Sequence, residues 1–282
     1  MFIKVNGIEL FFDVYSSKLK ISNSSVEEKP TLIFLHGGPG LGDHTLYPSF
    51  WSKFSDIAQV IFIDHRANGR SEQGDKNTWN LKQWGQDLNE FCKTLGIEKP
   101  IIAGVSFGGY VALSYATQFP EMVGKIILCN TEAKYDTELR VEAFTKKGGN
   151  RAGRIIRRFD SDDDSTELMN EYMKICLPLY SNNPYKPEEM QRCIKKLDTW
   201  NFFKREELFK FDFLKKVKLI KAPTLILCGE NDPEHPWLAA KKIADMMDDK
   251  NVSFNLIRGA GDPVYRDKTN EVFCIIKTFI EK

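Results

Sequence analysis

"IIAGVSFGGYVAL", Ile101–Leu113, is the stretch on which the reading of this chain turns. An apolar run suited to a buried strand enters a turn with glycine on both sides of Ser106, and a helical pattern follows at once. Such a turn needs small neighbours. It holds the hydroxyl out at the carboxyl end of the strand, and the N–H groups after it open a helix N-terminus where negative charge is favoured. The arrangement serves an attacking oxygen and the oxyanion that it creates. The plainer alternative is a tight strand-to-helix turn with an incidental serine.

Working outward, "TLIFLHG", "QVIFIDHR", "PIIAGVS", "KIILCN", "PTLILCGEND" and "VSFNLIRGAG" are strand-like. Between them "NLKQWGQDLNEFCKTLG", "FGGYVALSYATQF", "EHPWLAAKKIADMMDD" and "KTNEVFCIIKTFIEK" carry helical spacing. Short apolar runs alternating with helices predict βαβ units around a buried, mostly parallel sheet, an α/β fold. At the start, "MFIKV" and "IELFFDVY" flank Asn6-Gly7, a dipeptide that favours a tight antiparallel hairpin. "KISNSSVEEKP" is polar and reads as a surface loop.

From 131 to 221 no strand pattern appears, only charged helical segments dense in Phe, Tyr and Trp. The expected organisation is therefore a core of residues 1–130 and 222–282 with a helical cap inserted at 131–221. Phe202, Phe203, Phe209, Phe211 and Phe213, with Trp200 and Tyr180, either roof a pocket or pack the cap onto the core. The acidic stretch "DSDDDS" and the basic positions Lys146, Lys147, Arg151, Arg154, Arg157 and Arg158 read as a loop and solvated helix faces. No repeat of fixed period argues for a solenoid.

The 282 residues carry 40 basic and 39 acidic side chains, so no global field draws nucleic acid or an anionic membrane. The expected partner is small, an ester, an amide or a short peptide. No stretch approaches the roughly 20 apolar residues of a membrane span, and the expectation is a cytoplasmic protein. Six cysteines are scattered without a CxxC pair; Cys92, Cys129, Cys228 and Cys274 fall in apolar elements and are expected to be buried reduced thiols. No metal site is visible, and no cofactor is expected.

Two further loops belong to the same sheet edge. "FLHGGPG" offers a glycine-rich backbone that can approach a ligand closely, so the N–H of Gly38 and that of Phe107 are the candidate oxyanion donors. His36 there reads as a side chain steadying the loop. "LILCGENDPEHP" ends a strand in an acidic turn, where Asp232 is the candidate orienting carboxylate and Glu230 the competing one.

Together "HGGPG", "DHRANGRS", "GVSFGG", "GENDP" and "GAGDPVYRD" resemble the α/β-hydrolase superfamily, and within it the proline iminopeptidase-like group, over nearly the whole chain. The resemblance implies an α/β-hydrolase fold with a cap, Ser106 as nucleophile, Gly38 and Phe107 as oxyanion donors and Asp232 as triad acid. The family's histidine follows the last strand. In this chain the matching position is Asp262, followed by Pro263, a second departure.

A serine needs a base whose pKa lies near the working pH, and a carboxylate near 4 suits that task less well than an imidazole at about 6.5. Asp262 next to Asp232 would form a carboxylate pair that resists double ionisation and shares a proton. Only His36, His44, His65 and His235 could substitute, and His235, three residues past Asp232, is the candidate. Loss of a triad histidine costs on the order of a million-fold in turnover. Three readings stand: a serine hydrolase with an impaired or altered base, a silent ligand-binding pseudohydrolase, and a histidine-to-aspartate variant of an active hydrolase. For aminopeptidase action, Glu188, Glu189, Glu206 and Glu207 are candidates to meet a substrate ammonium.

Overall fold

Asn6 and Gly7 adopt φ of 44° and 80°, the left-handed pair that a tight hairpin turn requires. The strands they join, β1 (Phe2–Val5) and β2 (Ile8–Val14), pair antiparallel from Val5–Ile8 to Phe2–Phe11. The computed structural model describes residues 1–21, 24–161, 163 and 165–282. Ser22 and Asn23 of the "KISNSSVEEKP" stretch, and Asp162 and Asp164 of the acidic one, lie outside the described residues. The loop expected over the first stretch is in part a short exposed antiparallel pair, β3 (Leu19–Ile21) with β4 (Val26–Glu28). Its flanking residues alternate too briefly for the pattern to stand out from a polar loop.

The remaining strands are β5 (Thr31–Leu35), β6 (Gln59–Ile63), β7 (Ile101–Val105), β8 (Lys125–Cys129), β9 (Thr224–Gly229) and β10 (Val252–Ile257). The large sheet has the order β1-β2-β6-β5-β7-β8-β9-β10, antiparallel up to β6 and parallel from there on. Every residue of β5, β7 and β9 is buried. That is why those runs are continuously apolar: helices cover both faces of a parallel sheet, and no side of the strand meets water.

One core face of the sheet holds the helices Leu81–Thr94 and Phe107–Gln118, and the other holds the C-terminal helix Thr269–Glu281. In that last helix Val272, Ile276 and Ile280 form the buried stripe. Cys274 falls on the opposite side and is exposed, contrary to the expectation of a buried thiol, whereas Cys92, Cys129 and Cys228 are buried. An apolar helix seen without its phase cannot say which of its thiols faces the sheet.

Between β8 and β9 the described residues form helical segments, the longest being Thr137–Phe159, and among them a single bridge, Lys134 with Asp212, and no strand. The six basic positions of this helix are exposed, and Arg151, Arg157 and Arg158 pair with Glu171, Glu138 and Asp163. Three of the aromatic residues pack onto the core. Phe203 meets Phe107 at a centroid distance of 5.2 Å, Phe211 meets Tyr110 at 4.6 Å, and Phe202 meets Trp79 at 5.7 Å.

Candidate active site

Ser106 follows the last residue of β7 with φ 51° and ψ −121°, a conformation that side chains rarely adopt. The turn is held from below. The Ser106 N–H donates to the carbonyl of Asn130 at 3.0 Å, and the Thr131 hydroxyl donates to the Ser106 carbonyl at 2.8 Å. A Cβ on Gly104 would strike the backbone of Gly108, and one on Gly108 would strike the carbonyl of Leu35. The glycines on either side of the serine are thus dictated by backbone approach.

Phe107 is the first residue of its helix, so its N–H has no acceptor within the helix. A Cβ on Gly37 would lie 3.4 Å from that of Ser106, which sets the glycine-rich loop after β5 directly beside the elbow. Gly38 has φ 140°, a value that favours glycine. His36 is fully buried, with Nδ1 2.7 Å from the Gly37 carbonyl oxygen and Nε2 accepting the N–H of His65 at 3.3 Å. It steadies the loop.

At the ends of β9 and β10 the structure gathers a second group. Asp232 is buried; its Oδ1 accepts the N–H groups of Glu234 and His235 at 2.8 and 3.0 Å, and its Oδ2 accepts Nδ2 of Asn130 at 2.8 Å. Glu230, the competing carboxylate, is exposed and accepts the N–H of Gly259. Asp262 is held by its N–H on the Tyr180 carbonyl, and its side chain is 13 % exposed. His235 is buried, with Nε2 3.2 Å from the Tyr110 hydroxyl and Nδ1 3.9 Å from Asp262 Oδ2.

Burial governs the electrostatics of this group. It raises Asp262 well above the ordinary carboxylate range, with the Asp232 charge adding to it. Burial also raises Asp232, against the opposing pull of Asn130 and the His235 N–H. It lowers His235 to about 4, so the imidazole is neutral near pH 7. Behind it, Glu132 is fully buried and accepts the Tyr110 hydroxyl at 3.1 Å, and burial raises its carboxyl well above the usual range.

The sequence-predicted residues therefore fall in two groups. Ser106, Phe107 and Gly38 form one, and Asp232, His235 and Asp262 the other. Asn130 joins them, because its carbonyl takes the Ser106 N–H while its side chain takes Asp232 Oδ2, the Gly261 carbonyl and the Val264 N–H. Among the described residues no hydrogen bond links the Ser106 hydroxyl to His235 or Asp262. His65 lies on β6's end, with β5 between its strand and β7. His44 is committed elsewhere, to Asp64 and Asp13.

Sequence reasoning missed Asn130, Tyr110 and Glu132. Asn130 had a signal: a polar residue ending "KIILCN", next to the serine strand at its carboxyl edge. The carboxylates proposed for an ammonium are engaged otherwise, Glu189 by Arg266, Glu207 by the Leu81 N–H and Glu206 by Lys210, while Glu188 is exposed. A cleft of about 400 Å³ is lined by Leu139, Ala143, Lys147, Asn231, Asp232 and Trp237 among others, and Ser106 does not line it.

A model of the alpha/beta hydrolase fold matches residues 30–265. The chain belongs to the α/β-hydrolase fold family. A proline iminopeptidase, PfmaB of Pestalotiopsis fici, is 26% identical over 299 aligned positions, covering 100% of this chain and 99% of that protein. The proline iminopeptidase of Clostridium botulinum is 27% identical over 248 positions, covering 82% of this chain and 83% of its own length. Among solved structures, proline iminopeptidase from Mycobacterium smegmatis aligns with a TM-score of 0.78 at 17% identity, over 100% of this chain and 97% of that one. This α/β-hydrolase thus shares its architecture with enzymes far from it in sequence, and that likeness speaks for the fold. No described helix is long and apolar enough to cross a membrane.

Proposed function

We propose that this α/β-fold hydrolase uses Ser106 as nucleophile on a small ester or amide, in the manner of an aminopeptidase or esterase, with an altered general base. The observation that carries the reading is the strained Ser106 backbone, φ 51°, between a buried strand and a helix N-terminus. Such strain persists where surrounding structure enforces it, and here the end of β8 and the end of β5 with its following loop do. Ser106 Oγ attacks the acyl carbon, the N–H groups of Gly38 and Phe107 receive the oxyanion, and the 131–221 segment caps the site. Asp262, beside Asp232, occupies the sequence position where the family carries its proton acceptor. Its raised pKa makes it a stronger base than an ordinary aspartate once ionised.

A second reading, a ligand-binding protein without turnover, is favoured by one observation: His235 Nε2 is held on Tyr110 and does not reach Ser106 by a hydrogen bond. Initial rates on p-nitrophenyl esters and aminoacyl naphthylamides separate the two. For the first reading, Asp262→His raises the rate by about a thousand-fold or more, and Ser106→Ala abolishes it. No hydrolysis in either protein, with no labelling of Ser106 by a fluorophosphonate, would leave the binding reading.

A further inference from the structure

Three side chains at the ends of β9 and β10 converge on one point. The ligand-type atoms of Asp232, His235 and Asp262 all lie within 4.8 Å of one another. His235 is only 3 % exposed, yet its Nδ1 is buried with no hydrogen-bond partner, and it faces Asp262 Oδ2 at 3.9 Å. A buried polar atom without a partner costs free energy, so in a native site it calls for an occupant. Among the described residues no hydrogen bond reaches the Asp262 carboxylate either.

We propose that Asp232, His235 and Asp262 bind one divalent cation of the zinc class, through one imidazole nitrogen and two carboxylate oxygens. This goes against the expectation from sequence that the chain holds no metal. It does not depend on the role of Ser106, and with the ion bound Asp262 is a ligand, so the base role proposed above belongs to the ion-free chain.

The tautomer supports it. With Tyr110 donating its proton to Glu132 Oε1 at 3.1 Å, its oxygen is left to accept Nε2–H of His235 at 3.2 Å, the tautomer that the site requires. Nδ1 then carries the lone pair that a metal takes. An outer partner that fixes the far ring N–H is the usual support of a metal-bound histidine. Asp232 is oriented likewise: the N–H groups of Glu234 and His235 and the Asn130 amide hold it, and an ionised carboxylate with about four lone-pair sites has capacity left.

The His235–Asp262 separation is close to what a bound ion needs. Donors at about 2.1 Å from a tetrahedral ion lie about 3.4 Å apart, so rotating Asp262 by a few tenths of an ångström closes the 3.9 Å gap to His235. The ion would cancel two carboxylate charges in a buried place. A mixed set of imidazole and carboxylates suits zinc better than calcium or magnesium, which prefer all-oxygen shells.

A similar grouping, Asp43, His44 and Asp64, carries no such inference. Both ring nitrogens of His44 are already bound, Nδ1 to Asp64 at 2.7 Å and Nε2 to Asp13 at 3.2 Å, and Asp43 accepts from Thr45 and Ile194. No imidazole nitrogen there waits for a ligand.

The test is calorimetric titration of the chelator-stripped full chain with Zn²⁺ under reducing conditions. One tight site per chain is expected, weakened at least about a hundred-fold in His235→Gln and in Asp262→Asn, and about 10- to 100-fold in Tyr110→Phe. Asp262→His, which replaces a carboxylate by another ligand, keeps the site, and its Co²⁺ form shows an absorption spectrum altered by the added nitrogen. Retention in that variant separates loss of a ligand from loss of the fold. A wild-type chain that binds no more zinc than His235→Gln overturns the proposal, and so does an affinity unchanged across all the variants. Because no step reads hydrolysis, an inactive enzyme and an absent metal site give different results.

Discussion

Asn130 donates its side-chain amide to Asp232 at 2.8 Å while its own carbonyl accepts the N–H of Ser106 at 3.0 Å. One residue thereby ties the serine elbow to the acidic cluster, and the same side chain also holds Gly261 and Val264 on the loop that bears Asp262. Its φ of 42° is tolerated by asparagine better than by most residues. Asn130→Ala removes three side-chain hydrogen bonds at about 1 kcal/mol each and strains the left-handed backbone, so a loss of about 3–4 kcal/mol is expected. Urea unfolding measures it. A change below 1 kcal/mol would mean that the two groups are held together by other contacts.

Gly108 is fixed by the close approach of the serine helix to β5, since a methyl group there would land on the Leu35 carbonyl. Gly96 has a φ of 62° but open space around it. Gly108→Ala should therefore cost about 2–3 kcal/mol from overpacking, against about 1 kcal/mol of backbone strain for Gly96→Ala. Denaturation midpoints of the two variants compare them. Equal losses would show that the helix can move off the strand.

Much of this architecture could be read in advance because it is written in local pattern. The parallel strands are short apolar runs, the Asn6-Gly7 turn has its own dipeptide, and the glycines around Ser106 mark an unusual backbone. Chain order and strand position set Asp232 ahead of Glu230, and the structure buries Asp232 and leaves Glu230 exposed. What stayed hidden joins residues far apart in sequence. Tyr110 and His235 are 125 positions apart, and nothing in either neighbourhood announces that the phenol fixes the imidazole. The same holds for the polar lock between the segment joining β8 to β9 and the loop after β9.

That lock centres on Arg140, fully buried in the helix Thr137–Phe159, which pairs with Asp160 and with Glu234 at 2.5 Å each. Glu234 also accepts the Tyr180 hydroxyl at 2.5 Å and lies two residues beyond Asp232. The guanidinium thus pins the helix Thr137–Phe159 to the loop carrying Asp232. Removing one partner of a buried pair leaves an uncompensated charge, and Arg140→Ala is expected to cost about 3–5 kcal/mol. Hydrogen exchange would show the loss of protection concentrated in residues 131–221. A uniform loss throughout the chain would argue that this segment and the core open as one unit.

The buried His44–Asp64 pair predicts an acid limit to stability that is separate from the candidate site. Burial alone would raise Asp64, but the hydrogen bond from His44, the His36 and His44 charges and the Arg70 N–H overcome it and bring the carboxyl down to about 2. For His44, burial lowers the value, and the bond to Asp64 with the charges of Asp64, Asp43 and Asp13 reverses that and raises it. An acid depressed on folding contributes stability that is present above its unfolded value and lost as pH falls through the folded one. The Asp64 contribution, about 2 kcal/mol, is therefore whole near pH 5 and disappears toward pH 2. A histidine raised on folding contributes below its unfolded value of about 6.5 and loses that contribution as pH rises through the folded value. The pair works hardest between those limits. Unfolding free energies of wild type and Asp64→Asn from pH 2 to 8 isolate the difference from the other buried histidines, His36 and His65, which burial lowers. The gap between the two proteins should be widest between pH 4 and 6 and should shrink by about 2 kcal/mol at pH 2. A gap that stays constant with pH would mean that Asp64 contributes by packing and neutral hydrogen bonding alone.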